Sequence, residues 1–167
     1  MRFITIQNIN KMIKKGLIIW LIIFSAQLLK AQFYYNGIGL RGGLFSGITY
    51  KKFIDSDIAI EGILQTRWHG WEAVALLEHH RKIPSVSGLW WYYGYGAHIG
   101  FYDRRYTLWN VDSQNVMLIG VDGIIGIELL IPETAFSLGL DWKPAFNITG
   151  YSGFVGDGAA FSLRYTF

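Results

Sequence analysis

At the C-terminal end of the chain Phe161, Leu163, Tyr165 and Phe167 alternate with Ser162, Arg164 and Thr166. Successive side chains on a strand point to opposite sides, so a period of two gives this segment one apolar and one polar face. The same period runs through residues 135–146, where Phe136, Leu138, Leu140 and Trp142 oppose Ser137, Gly139, Asp141 and Lys143. Near 89–102 it sets Trp91, Tyr93, Tyr95, Ala97, Ile99 and Phe101 against Trp90, Tyr92, Gly94, Gly96, His98, Gly100 and Tyr102. Bulky apolar residues thus share one side of the sheet, and glycines with a few polar groups share the other.

Segments of this kind, separated by turn-forming clusters, predict eight strands near 34–45, 47–55, 58–68, 71–82, 89–102, 116–130, 135–146 and 158–167. After residue 32 no stretch of 18 apolar residues exists, so the rest of the chain cannot cross a membrane as a helix. Strands can cross lipid only in a closed sheet, because an open edge leaves backbone N–H and C=O groups unpaired in hydrocarbon. The expected fold is therefore all-β, a closed antiparallel transmembrane barrel of about eight strands. The 20 glycines and only 3 prolines suit tightly curved strands and turns better than an ordinary core. The longer connections, Asp103 to Asn115 and Asn147 to Asp157, fall at one end and most shorter ones at the other, as in barrels with short periplasmic turns. Aromatics near strand ends, Tyr34, Tyr35, Trp68, Trp71, Trp90 and Trp142, are candidates for interfacial girdles.

Strand parity collects Arg41, Glu61, Arg67, Glu72, Glu78, Asp122, Glu128, Asp141, Lys143 and Arg164 toward the interior. A charge facing hydrocarbon costs about 2–4 kcal/mol at midplane, so the interior is the favourable place for them. Mixed signs there predict a plugged lumen held by salt bridges, too narrow in an eight-stranded barrel for free conduction.

The N-terminus reads as a secretory signal over residues 1–31, with Lys11, Lys14 and Lys15 before an apolar run from Leu17 to Leu29. Cleavage is expected between Ala31 and Gln32, leaving 32–167 as the barrel; an uncleaved anchor is the alternative. The formal charge of +3 includes Arg2, Lys11, Lys14, Lys15 and Lys30, so the remainder carries about −2 and gives no argument for nucleic acid. Without cysteine, thiolate zinc and thiol chemistry are excluded.

Few residues point to chemistry. His79 and His80, beside Arg81 and Lys82, read as a solvated basic rim. As strand neighbours they face opposite sides and do not readily share one metal ion. His98 could meet Glu78 or Glu72 from the neighbouring strand, a pair that would suit lipid A modification, although no Ser lies beside it. A satisfied interior histidine is the simpler reading. Gly120 to Gly126 lacks the Lys-Ser/Thr of a phosphate loop, and no cofactor is expected. Arg104, Arg105, Tyr106, Trp109 and Asp112 in the long loop could contact a partner or lipopolysaccharide phosphates.

The ending Arg164-Tyr165-Thr166-Phe167, with Phe161 and Leu163, resembles the terminal β-signal of outer-membrane barrels. With the Lys30-Ala31-Gln32 signal end, Tyr95 to Phe101 and Leu140 to Phe146, the chain resembles small outer-membrane barrel proteins of Bacteroidetes-type bacteria. The resemblance implies the outer membrane of a Gram-negative cell, with its lipids and lipopolysaccharide as surroundings. It also implies recognition of the last strand by the barrel-assembly machinery. Many such proteins have no assigned biochemical role, so a structural or surface-interaction role is the expectation, with a lipid A-modifying enzyme or a narrow channel as alternatives. Intact-protein mass spectrometry of the envelope-purified chain should read a start at Gln32; a mass that retains residues 1–31 contradicts the cleavage.

Overall fold

The computed structural model describes residues 35–67, 69–103, 115–150 and 152–167. Its strands are β1 (Asn36–Gly43), β2 (Ser46–Phe53), β3 (Ile58–Arg67), β4 (Gly70–Lys82), β5 (Leu89–Asp103), β6 (Asn115–Leu130), β7 (Phe136–Trp142), β8 (Ala145–Thr149), β9 (Gly153–Val155) and β10 (Ala159–Thr166). From β1 to β6 each strand pairs antiparallel with the next. β10 lies between β7 and β1, and β7 pairs with β6, so the sheet closes on itself. The result is an eight-stranded barrel in which β7 and β8 share one place beside β6. The signal segment, Tyr34, Trp68 and the loop carrying Arg104, Arg105, Tyr106, Trp109 and Asp112 lie outside the described residues.

Two sequence expectations change here. The strand expected over 135–146 is interrupted at Lys143-Pro144, because proline has no N–H to donate to a ladder. The barrel wall continues through the break: Gly123 N–H donates to the Pro144 carbonyl at 2.9 Å, and Lys143 N–H to that of Gly158 at 3.1 Å. The second change is in the segment 147–157, expected as a loop. Its first residues belong to β8, and Gly153–Val155 pairs back on it as β9, a short hairpin at one rim.

The start of β1 and the C-terminal residue meet at the opposite rim, where Asn36 and Phe167 exchange backbone hydrogen bonds of 2.9 and 2.8 Å. That rim also carries the connections after β2, β4 and β6. The turn after β4 ends at Gly88, whose φ of 78° and 2.4 Å clearance from the Leu130 carbonyl oxygen leave no room for a side chain.

Facing outward, every strand of the wall presents large apolar side chains: Leu40, Tyr50, Leu64, Trp71, Tyr95, Ile125, Leu140 and Phe161 among them, with Leu40 67% exposed. Trp142 and Tyr35 are exposed as girdle positions require, whereas Trp90 is half-buried. The lumen is layered rather than uniformly polar. Phe53 and Ala59 fill the end near the termini, Ile63, Val74, Leu76, Tyr92 and Ile124 form a middle apolar group, and Tyr102, Val116 and Leu118 lie toward the other mouth. Charged and polar residues, with small ones between them, occupy the other buried positions.

Glycines make room for these side chains. A Cβ on Gly126 would stand 2.7 Å from the Tyr92 ring and from the Asp141 Cβ, and one on Gly120 would collide with the His98 ring. Outward-facing Gly62 has nothing nearer than 4.0 Å. Gly126→Ala should therefore cost about 1–3 kcal/mol of stability by overpacking, and Gly62→Ala almost nothing. Urea unfolding of the detergent-folded barrel distinguishes them.

Candidate functional site

The buried charges form two groups along the lumen. In the group nearer the chain ends, Lys51 of β2 extends its ammonium to three carboxylates, Glu78 at 2.8 Å, Glu61 at 3.2 Å and Glu128 at 3.5 Å. It also lies 4.3 Å from the centre of the Tyr92 ring, a cation–π contact. Arg164 of β10 reaches Glu61 at 2.6 Å and Glu128 at 3.5 Å. The Thr49 hydroxyl donates to Glu61, and that of Ser137 donates to Glu128 at 2.7 Å. Three carboxylates thus face two permanent cations. His80 stands 2.9 Å from Glu78 and stacks on Tyr92, so Glu78 and His80 can hold the balancing proton between them. Over the intervening β10, Arg41 grips Asp141 with both terminal nitrogens, and the Tyr92 hydroxyl donates to the same carboxylate at 3.2 Å.

The second group lies toward the other mouth. His98 Nδ1 is 2.7 Å from Asp122 Oδ2, and its Nε2 is 3.0 Å from Asn147 Oδ1. Lys143, placed inward where β7 breaks, reaches Asp122 at 2.5 Å and Glu72 at 3.6 Å. Glu72 also accepts from Gln65 at 2.8 Å and from the Tyr102 hydroxyl at 2.9 Å. Oxygen and nitrogen atoms of Glu72, His98 and Asp122 lie within 4.8 Å of one another, a spacing open to a metal ion. The Lys143 ammonium already sits against two of these groups and supplies the positive charge an ion would bring. The arrangement is therefore compensated by the chain itself.

All ten interior residues expected from parity do face the lumen, with Arg67 at its edge in an ion pair of 2.7 Å with Asp157. The structure does not bring His98 and Glu78 together. Glu78 is opposite Gly94 on β5 and belongs to the Lys51 group, while His98 is opposite Val74. The carboxylate bonded to His98 is Asp122, from β6. His80 is also not part of a solvated rim: it is 1% exposed, and its neighbour His79 faces outward against the Tyr93 ring.

Lys51, His80, Gln65, Asn147 and Ser137 were not in the expected interior set. Lys51 was legible in principle, because Ile48 and Tyr50 define the outward face of β2 and leave Thr49 and Lys51 on the other. The adjacent Lys52 obscured it. His80 follows from the parity of Glu72 and Glu78. Asn147 follows from the parity of Asp141 and Lys143, which runs on through Ala145 across the proline break, but it lay one residue past the expected strand end at 146.

Geometry of this kind defines the class by fold: a closed eight-stranded barrel, apolar outside, with a charge-paired lumen. No family model and no curated protein matches the chain. Among solved structures it is similar to the N-terminal β-barrel domain of Pseudomonas aeruginosa OprF, with a TM-score of 0.58 and 16% sequence identity. That match covers 79% of this chain and 95% of the other. At this identity the likeness is one of fold.

Lys51→Met should destabilise the barrel by about 3–5 kcal/mol, because three buried carboxylates lose their shared cation. Arg81→Ala, which removes an exposed ion pair with Asp57, should change stability by less than about 1 kcal/mol. Denaturant midpoints of the two variants test the difference.

Proposed function

We propose that the chain is an integral outer-membrane barrel with a plugged lumen, serving envelope structure or presenting its loop-side rim to a surface partner. The carrying observation is the division of the wall: exposed large apolar residues on every strand outside, and paired charges inside. A belt of this extent far exceeds the few hundred Å² of apolar patch tolerated on a protein in water, and it matches what lipid requires. The fold likeness to the OprF barrel domain supports the same reading.

In this reading the rim holding both chain ends faces the periplasm, and the rim with the β8–β9 hairpin faces outward. The outward row of Phe161, Leu163, Tyr165 and Phe167 serves as the signal for the assembly machinery. Lipids and lipopolysaccharide surround the wall. The sequence resemblance to barrels of Bacteroidetes-type bacteria is the basis for assigning that lineage.

The middle layer of Ile63, Leu76, Tyr92 and Ile124, together with the salt bridges, supports a closed lumen over a channel. A lipid-modifying enzyme using His98 has less support. Both ring nitrogens are engaged, by Asp122 and Asn147, so neither meets a hydroxyl nucleophile in this arrangement.

Protein from the outer-membrane fraction should migrate differently on mild-detergent gels with and without boiling, and should stay silent in planar bilayers. Lipid A mass spectra should be the same for wild type and His98→Ala. Recovery as a soluble periplasmic protein without a heat shift overturns the membrane reading. Steady conductance, or a lipid A change lost in His98→Ala, overturns the passive role.

A further inference from the structure

Above the His98 group, on the side away from the chain ends, a cavity of about 270 Å³ opens at the mouth of the barrel. Its floor carries Glu72, Lys143 and Asn147, while its walls include Phe45, Leu118 and Val155. An ion pair between Arg67 and Asp157, with the Arg67 guanidinium 4.7 Å from the Phe45 ring centre, braces its rim. The cavity is therefore apolar around its sides and polar below.

One floor group has an unused donor. Asn147 is 2% exposed; its Oδ1 faces His98, and its Nδ2 has no hydrogen-bond partner. A buried amide N–H left without an acceptor costs about 1–3 kcal/mol, a penalty removed by any ligand that brings an oxygen to it. Asn147 projects inward from β8, the segment that follows the break at Pro144.

The charges below decide what kind of oxygen fits. Acceptor oxygens face both ring nitrogens of His98, the hydrogen-bonding pattern of a doubly protonated imidazole. Glu72 and Asp122 are then balanced by Lys143 and His98, and Asp157 is balanced by Arg67. A carboxylate would bring an uncompensated charge into this balanced floor, whereas a neutral carbonyl supplies the acceptor without one.

The geometry points to the barrel mouth as a binding site for a small, largely apolar molecule with a neutral carbonyl group, its oxygen on Asn147 Nδ2 and its apolar part between Leu118 and Val155. The site lies on the loop side, so in the proposed orientation it samples molecules outside the cell. The binding itself does not depend on that orientation.

Three probes of similar size test it by ligand-observed NMR and calorimetry on the full barrel folded in detergent: 4-phenyl-2-butanone, 3-phenylpropionate and butylbenzene. The ketone should bind with a dissociation constant of about 1 mM or tighter, and at least about tenfold more tightly than the other two. Asn147→Leu should erase the advantage of the ketone over butylbenzene. Ala145→Trp, which fills the cavity from its wall, should abolish binding of the ketone while the heat shift on gels shows that the barrel is still formed. Equal binding of ketone and hydrocarbon, or preference for the carboxylate, overturns the proposal. So does a signal that persists unchanged in both variants, as partition into detergent would give.

Discussion

Charge buried in a narrow lumen must be paired, and this requirement organises the protein. Lys51 and Arg164 are fully enclosed, as are Glu61 and Glu78, and none has water to fall back on. A lone ion in such surroundings would cost several kcal/mol, so each is stable only while its partners are in place. Those partners come from strands far apart in the chain: Arg164 of β10 meets Glu61 of β3, and Arg41 of β1 meets Asp141 of β7. The contacts that satisfy the charges therefore also tie together strands that are not neighbours in the sheet. Closure of the sheet and neutrality of the lumen stabilise one another.

The same constraint distributes residues by size. Tyr92 and His98 project into the lumen where Gly126 and Gly120 leave space for them, and the arginines reach across it. Between the two charged groups the lumen is filled by Ile63, Leu76 and Ile124, which contribute packing and no conducting path. Near the loop-side mouth packing is incomplete. There a cavity remains above Asn147 and Lys143. Tight pairing at one end and an open polar floor at the other give the two halves of the barrel different capacities, one for stability and one for contact with a ligand.

Much of this was legible in the residues. The alternation of Phe161, Leu163 and Tyr165 with Ser162 and Arg164 survives in the structure as outward and inward faces of β10, and all ten expected interior charges point inward. Lys51 escaped because Lys52 follows it, giving both faces of β2 a cation. His80 escaped because its charged neighbours suggested a solvated rim, although its parity with Glu78 pointed inside. Of the two carboxylates expected near His98, Glu72 does lie beside it, but the hydrogen-bonded one is Asp122. Glu78 lies four positions away along the β4–β5 register, and Asp122 reaches the imidazole from the strand after it.

Which side of the sheet each residue faces, and the number of strands that the wall requires, were determined by the sequence alone. Both depend on a two-residue period and on turn chemistry, which are local properties of the chain. Which charge meets which was decided only by the tertiary structure. Partners across a lumen are set by the stagger of the strands once the sheet has closed. That stagger leaves no trace in the spacing of residues along one strand. The Lys51 group, the His98–Asp122 pair and the free amide of Asn147 are consequences of closure.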